Sequence, residues 1–219
     1  MIITRQKPFR EILEELGGAK KVYLAGCALC ATVCKTGGEE DLKDLEKQLL
    51  KKGITVTGRA VLDPACNLLE VKRLIRKNAA EIDAADAVLS CACGGGTQAL
   101  AEVIENKDVF PANDTLFQGE ITKITLKEAR FDQKCSLCGE CLLSSTGGIC
   151  PVTRCPKGLL NGPCGGTKDG KCEVSKELDC VWLLIFEKLK RSGTLDLMKT
   201  TRGPKDHSKN EKPQKLIIK

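Results

Sequence analysis

Lys20-Lys-Val-Tyr-Leu-Ala-Gly-Cys27 followed by Glu39-Glu-Asp-Leu-Lys-Asp-Leu-Glu-Lys-Gln-Leu-Leu-Lys-Lys52 decides the fold. The short apolar run Val22 to Ala25 reads as a buried strand. Behind it, Leu42, Leu45, Leu49 and Leu50 recur at i, i+3, i+7 and i+8, one face of a 3.6-residue period, so residues 39–52 read as an amphipathic helix that Gly53 can end. The pattern then repeats. Ile54 to Leu62 is β-branched and alternates in places; Leu68, Val71, Leu74, Ile75 and Ile82 mark a second helix. Ala87 to Ser90 reads as a third strand, and Thr97 can cap a third helix carrying Leu100, Val103 and Ile104. Strand–helix alternation implies parallel strands joined by right-handed crossovers. The expected fold is therefore α/β, with a small parallel-sheet (Rossmann-like) domain over residues 1–118.

Composition changes along the chain. Residues 119–192 form an irregular, cysteine-rich domain that closes on an apolar helix around Val181 to Phe186, and residues 193–219 read as a basic, solvated tail. That helix is apolar nearly all round, so it is expected either to bury itself against the first domain or to dock a partner. Of the chain's net charge of +6, residues 201–219 supply +4, with six Lys/Arg against two Asp/Glu. The remainder is close to neutral, which argues against a nucleic-acid footprint, and 3% aromatic content is too little for base-stacking platforms. The first 25 residues lack the apolar core of a signal peptide, and the longest apolar run is far too short to cross a bilayer. The expected setting is the cytoplasm. There, clustered cysteines point to metal ligation rather than disulfides.

Fourteen cysteines stand against one histidine, His207, placed among tail lysines. No Ser/His or Cys/His hydrolase can be assembled from that inventory, and no catalytic residue is assigned. In the first domain Cys27 follows strand one, Cys66 strand two, and Cys91 and Cys93 strand three. Open α/β sheets bind ligands beyond the carboxyl ends of their strands. Cys27-x2-Cys30-x3-Cys34 supplies three thiols from one loop, and Cys66, Cys91 or Cys93 can complete a set of four. Cys93 is favoured, because Gly94-Gly95-Gly96 lets backbone approach and aim N–H groups at sulfur. Cys66 and Cys91 also read as small buried hydrophobes, and for Cys91 that reading is preferred. The glycine run lacks both the Lys-Ser/Thr of a P-loop and the dinucleotide spacing. A thioredoxin-like reading of Cys27-x2-Cys30 is set aside because Cys34 and the strand-end cysteines favour ligation.

The second domain holds Cys135-x2-Cys138-x2-Cys141-x8-Cys150-Pro151, then Cys155-Pro156, Cys164, Cys172 and Cys180. Its opening triplet matches the bacterial ferredoxin run, although the fourth cysteine follows after eight residues instead of three. Eight cysteines make two sites. The favoured division puts Cys135, Cys138 and Cys141 in one and Cys150, Cys155 and Cys164 in the other, with Cys172 and Cys180 as the remaining ligands in either order. Triplets at two-residue spacing favour iron–sulfur clusters over zinc, which usually draws its thiolates two plus two. Two or three [4Fe-4S] clusters are expected in the chain, with zinc the competing metal at one site. Arg154, Lys157 and Lys171 read either as counter-charges to an anionic cluster or as ordinary surface. The opposing reading is a structural zinc protein that scaffolds a partner without moving electrons.

Thr146-Gly-Gly-Ile-Cys-Pro-Val-Thr-Arg-Cys-Pro-Lys-Gly-Leu-Leu-Asn-Gly-Pro-Cys-Gly-Gly166, followed by Lys171-Cys-Glu-Val174, resembles the methylenetetrahydrofolate reductase C-terminal family, in detail from Cys135 to Cys180 and more loosely at Gly26-Cys27, Cys34, Cys66 and Ala92-Cys93-Gly94. Members include the iron–sulfur subunit of two-subunit bacterial reductases. The resemblance implies a partner subunit, a TIM barrel holding a flavin (FMN) that reduces methylene-tetrahydrofolate to methyl-tetrahydrofolate. It implies for this chain the role of electron conduit to that flavin, from ferredoxin or another redox module. No folate or flavin pocket is recognisable in this chain itself.

Overall fold

A computed structural model describes residues 1–125 and 128–218. Two compact units divide at residues 131 and 132. In chain order the first contains β1 (Ile2–Gln6), α1 (Phe9–Glu15), β2 (Lys21–Cys27), α2 (Cys30–Val33), α3 (Glu39–Leu50), β3 (Thr55–Leu62), α4 (Leu68–Lys77), α5 (Ala79–Asp83), β4 (Ala87–Ser90), α6 (Gly94–Val103), β5 (Asp108–Pro111) and β6 (Asn113–Gln118), and β7 (Glu120–Ile124) and β8 (Ala129–Asp132) follow. The fold is α/β around a four-stranded sheet of order β3-β2-β4-β5, every pair parallel.

Side-chain alternation along β2 explains the layers. Val22 and Leu24 face one side, where they pack with Ile12 and Leu16 and with Leu42, Leu45 and Leu49 of α3. Tyr23, Ala25 and Cys27 face the other, with Val71 and Leu74 of α4, Ile82 of α5 and Leu100 of α6. A strand buried on both faces must be apolar throughout, which is why Val22 to Cys27 reads as a continuous run.

The expected helix over 39–52 is α3, held at its start by Asp41, whose Oδ2 accepts from the backbone N–H of Gly38 at 2.8 Å and of Gly37 at 3.1 Å. The second expected helix is divided at Asn78 into α4 and α5. The third starts earlier than Thr97. Cys93 occupies the capping position, α6 runs from Gly94, and the Thr97 hydroxyl lies 2.9 Å from Ser90 Oγ. The structure adds β1, α1 and β5 to β8 to the expected elements, and of these α1 carries a helical signal in the sequence, with Phe9, Ile12, Leu13 and Leu16 at i, i+3, i+4 and i+7. β1 and β6 pair antiparallel as a separate two-stranded sheet, with Gln6 opposite Asn113 and Ile2 opposite Gln118.

The second unit has little regular structure beyond α7 (Pro151–Arg154) and α8 (Val181–Arg191). Its core is α8 itself. Val181, Trp182, Ile185 and Leu189 are buried together with Cys180, against Ile149, Cys155, Leu195, Leu197 and Met198. The apolar helix thus finds its cover inside its own unit, from irregular segments on both sides of it in sequence. Among the described residues no helix is long and apolar enough to cross a membrane.

Candidate metal centres

Three cysteines of the first unit sit where the sheet topology puts them. Cys27 is the last residue of β2, paired with Leu62 at the end of β3, and Cys66 and Cys93 follow the ends of β3 and β4. Parallel strands deliver all three to one edge. The Cys66 thiol is pushed up, first by burial and then by the neighbouring thiols of Cys93, Cys27 and Cys30. The sulfurs of Cys93, Cys27 and Cys30 thus lie near enough to Cys66 to act on its charge.

Gly96 makes the convergence close. A Cβ there would stand 2.8 Å from Ala92 Cβ and 2.9 Å from Ala65 Cβ, so only glycine lets the turn bearing Cys66 pack on the start of α6. Gly95 lies between two ligand candidates, with its would-be Cβ 3.9 Å from Cys93 Sγ and 4.0 Å from Cys66 Cβ. The Gly94 amide, expected to aim at sulfur, donates instead to Thr115 Oγ1 at 2.7 Å.

Cys30 opens α2 and Cys34 follows its last residue, one turn on, and both meet β1. The Ile2 N–H donates to Cys30 Sγ at 3.4 Å, and Cys34 Sγ lies 3.9 Å from the Ile2 carbonyl oxygen. Cys91 is two residues beyond Leu89 and shares its face, the one opposite Cys27, within the cluster of Leu24, Leu42 and Leu45. Burial, with a smaller contribution from Asp41, pushes its thiol up to about 12. It is a core residue.

In the second unit, Cys155, Cys164, Cys172 and Cys180 line one cavity, together with Leu159, Val181 and Trp182. Its empty volume is about 330 Å³, counting the space open to solvent. Local structure brings these four together. Cys155 ends α7 and Cys180 caps α8. The Cys172 N–H donates to the Leu178 carbonyl and the Cys180 N–H to the Gly170 carbonyl, both at 2.9 Å, which folds the 170–180 loop back on itself. The turn before Cys164 lies flat on Trp182, because Gly162 offers no Cβ to collide with the indole ring. Trp182 Nε1 donates to the Leu159 carbonyl at 3.3 Å. Lys157 and Glu173, also on the lining, form an ion pair, and Lys171 pairs with Asp179 at 2.6 Å. Two of the three cations expected near the cysteines thus already face carboxylates.

Cys135, Cys138 and Cys141 occupy a loop with left-handed residues on either side of Cys138, Leu137 at φ 56° and Gly139 at φ 72°. The Leu137 N–H donates to Cys135 Sγ at 3.4 Å. The Cys138 thiol is held below its ordinary range by a backbone hydrogen bond at Glu140 and by Lys205 and Ser136. Cys150 caps α7, its Sγ 3.7 Å from Thr153 Oγ1, and it is not on the lining of the Cys155 cavity.

The 193–219 segment contributes residues that its composition concealed. Arg202 donates to Ser145 Oγ at 3.2 Å, to the Ser145 carbonyl at 3.0 Å and to the Leu160 carbonyl at 3.1 Å. Its backbone N–H and C=O both bond the Asn161 amide at 2.8 Å. Lys205 Nζ donates to the Glu140 carbonyl at 2.6 Å. Lys and Arg side chains dispersed among polar residues look like any solvated tail; only their partners in space distinguish them.

Thiolates are soft donors suited to zinc and to iron–sulfur clusters, and the second-unit cavity offers four of them with apolar walls. As the side chains stand, no group of three or more His, Cys, Asp or Glu among the described residues is drawn close enough to hold a single metal ion. No curated protein and no solved structure matches the chain. Residues 110–208, which include every cysteine from Cys135 to Cys180, match the model of the family described as methylene-tetrahydrofolate reductase C terminal.

Proposed function

We propose that the chain is the iron–sulfur electron-transfer subunit of a methylenetetrahydrofolate reductase complex. The observation that carries the reading is the placement of Cys155, Cys164, Cys172 and Cys180 on the lining of one largely apolar cavity, inside the stretch that matches the reductase family. In this reading those four hold one [4Fe-4S] cluster, and Cys135, Cys138, Cys141 and Cys150 hold another. This four-and-four division differs from the grouping favoured on spacing, because Cys172 and Cys180 join Cys155 and Cys164 and leave Cys150 to the ferredoxin-like triplet. Cys27, Cys30 and Cys34, with Cys66 and Cys93, supply the third candidate site.

A bound cluster would supply a one-electron carrier. The chain's own residues do the remaining work. Thiolates fix the site, Trp182, Leu159 and Val181 shed water from it, and backbone amides such as that of Leu137 soften the sulfur charge. Electrons would come from ferredoxin or another redox module and leave to the flavin of a TIM-barrel catalytic subunit, where methyl-tetrahydrofolate is made. The chemistry on folate is assigned to the flavin-bearing partner.

Anaerobic purification of the full chain, followed by iron, sulfide and zinc analysis and by electron paramagnetic resonance of the reduced protein, tests the proposal. Iron and sulfide in equal amounts, with the signal of a reduced cluster, are expected. A folded, iron-free protein carrying only zinc would overturn it in favour of the structural scaffold.

A further inference from the structure

We propose that Lys205 is a positioning cation for the metal centre of the Cys135–Cys141 loop, delivered by the C-terminal segment and acting to raise the reduction potential of that centre. The inference rests on the iron–sulfur reading above and extends it to a residue outside the cysteine pattern.

Three observations carry it. First, Lys205 and Cys138 converge on one atom. The Glu140 carbonyl oxygen accepts from Lys205 Nζ at 2.6 Å and lies 3.5 Å from Cys138 Sγ. Second, the Lys205 side chain is withdrawn from solvent, only 10% exposed, which an unpartnered lysine would not tolerate. Third, the segment carrying it is tied down on both sides. Arg202 and Asn161 anchor it upstream. Downstream, the Asp206 N–H donates to Glu140 Oε2 at 3.1 Å, and the Lys209 backbone lies against Gly139. A cation so fixed is a built feature of the loop, not a wandering side chain.

Its effect has a definite sign. Reduction adds one negative charge to an already anionic thiolate-bound core. A fixed positive charge beside one ligand sulfur stabilises the reduced form more than the oxidised form and raises the potential. Glu140 opposes this in part, since its carboxylate lies 3.7 Å from Lys205 Nζ and 3.9 Å from Lys209 Nζ. Removing the lysine must therefore lower the potential, and removing the carboxylate must raise it.

The test is a redox titration of the full chain monitored by electron paramagnetic resonance, with the relevant signal assigned as the one lost in Cys138→Ser. Lys205→Met is expected to keep its iron and to be at least tenfold harder to reduce at that centre, 59 mV for a one-electron couple. Lys205→Arg should stay near the wild-type potential, and Glu140→Gln should shift in the positive direction. An iron-loaded Lys205→Met with the wild-type potential overturns this inference and leaves the iron–sulfur reading standing. If Lys205→Met loses its iron, Glu140→Gln decides, and an unmoved potential there overturns the inference. An iron-free wild-type chain overturns both.

Discussion

Gly139 and Lys209 touch through their backbones, so closely that a Cβ at position 139 would collide with the Lys209 carbonyl oxygen. The same glycine has φ 72°, in the left-handed region. The contact binds one loop of thiols to a segment seventy residues further along the chain. Gly139→Ala should therefore cost stability twice, through backbone strain and through displacement of the strap, by about 1–3 kcal/mol in total. Thermal unfolding measures the loss. Limited trypsin digestion measures the displacement, as faster cleavage after Lys205 and Lys209 than in the parent. Unchanged cleavage would mean that the strap does not depend on this contact.

At the other candidate site the corresponding contact is Gly96 against Ala65. A methyl group at 96 must push away either Ala65 or Ala92, which lie 2.9 and 2.8 Å from it. Overpacking of this kind costs about 1–3 kcal/mol. Ala65 precedes Cys66, so displacement moves that thiol away from Cys93, Cys27 and Cys30. Gly96→Ala should lower metal bound per chain by the share of this one site. Gly95→Ala, whose Cβ meets nothing nearer than 3.9 Å, should retain it. Equal metal content in the two variants would contradict the placement of Cys66 in the group.

Cys91 separates structural from ligating cysteines. Its thiol is pushed up to about 12 by burial, so at pH 8 it stays protonated and shielded. In native protein treated with a chelator and iodoacetamide, Cys91 should remain unmodified while exposed Cys66, Cys135, Cys141 and Cys164 react. Peptide mass analysis reads this directly. Modification of Cys91 at the rate of Cys66 would show that the sheet face is open.

The parallel sheet was legible because its signals are local. The apolar run of β2 and the leucine period of α3 need no partner to be recognised. The convergence of Cys27, Cys66 and Cys93 was also legible, since parallel strands must bring their carboxyl ends to one edge. Cys91 could be told from Cys93 only in outline. The alternation that turns Cys91 toward Leu42 begins inside β4, and the sequence does not show where the strand stops and α6 starts. In the second unit the cysteine spacing pointed to ligation but not to the partition. The meeting of Cys172 and Cys180 with Cys155 depends on backbone bonds to Leu178 and Gly170, which leave no pattern in the residues. Arg202 and Lys205 were illegible for the same reason, their partners lying about forty to sixty-five residues away in the chain.

Asp86 supplies a pH test of the first unit. Its Oδ2 accepts from the Lys20 and Lys21 N–H groups, each at 2.8 Å, and so fastens the loop before β4 to the entry of β2. Those two bonds, aided by the charges of Lys21 and Lys107, hold its carboxyl below the ordinary range. A depressed carboxyl stabilises the fold above its unfolded value of about 3.9, and the contribution is lost as pH falls through the lower folded value. Asp86→Asn should therefore melt below the parent at pH 7, and the gap should narrow as the pH is lowered from 5 towards 2. Thermal melts of both proteins across that range provide the measurement. A gap that stays constant would mean that the carboxylate's charge contributes nothing to the difference, and the absence of any gap at pH 7 would mean that the amide serves the two backbone donors equally well.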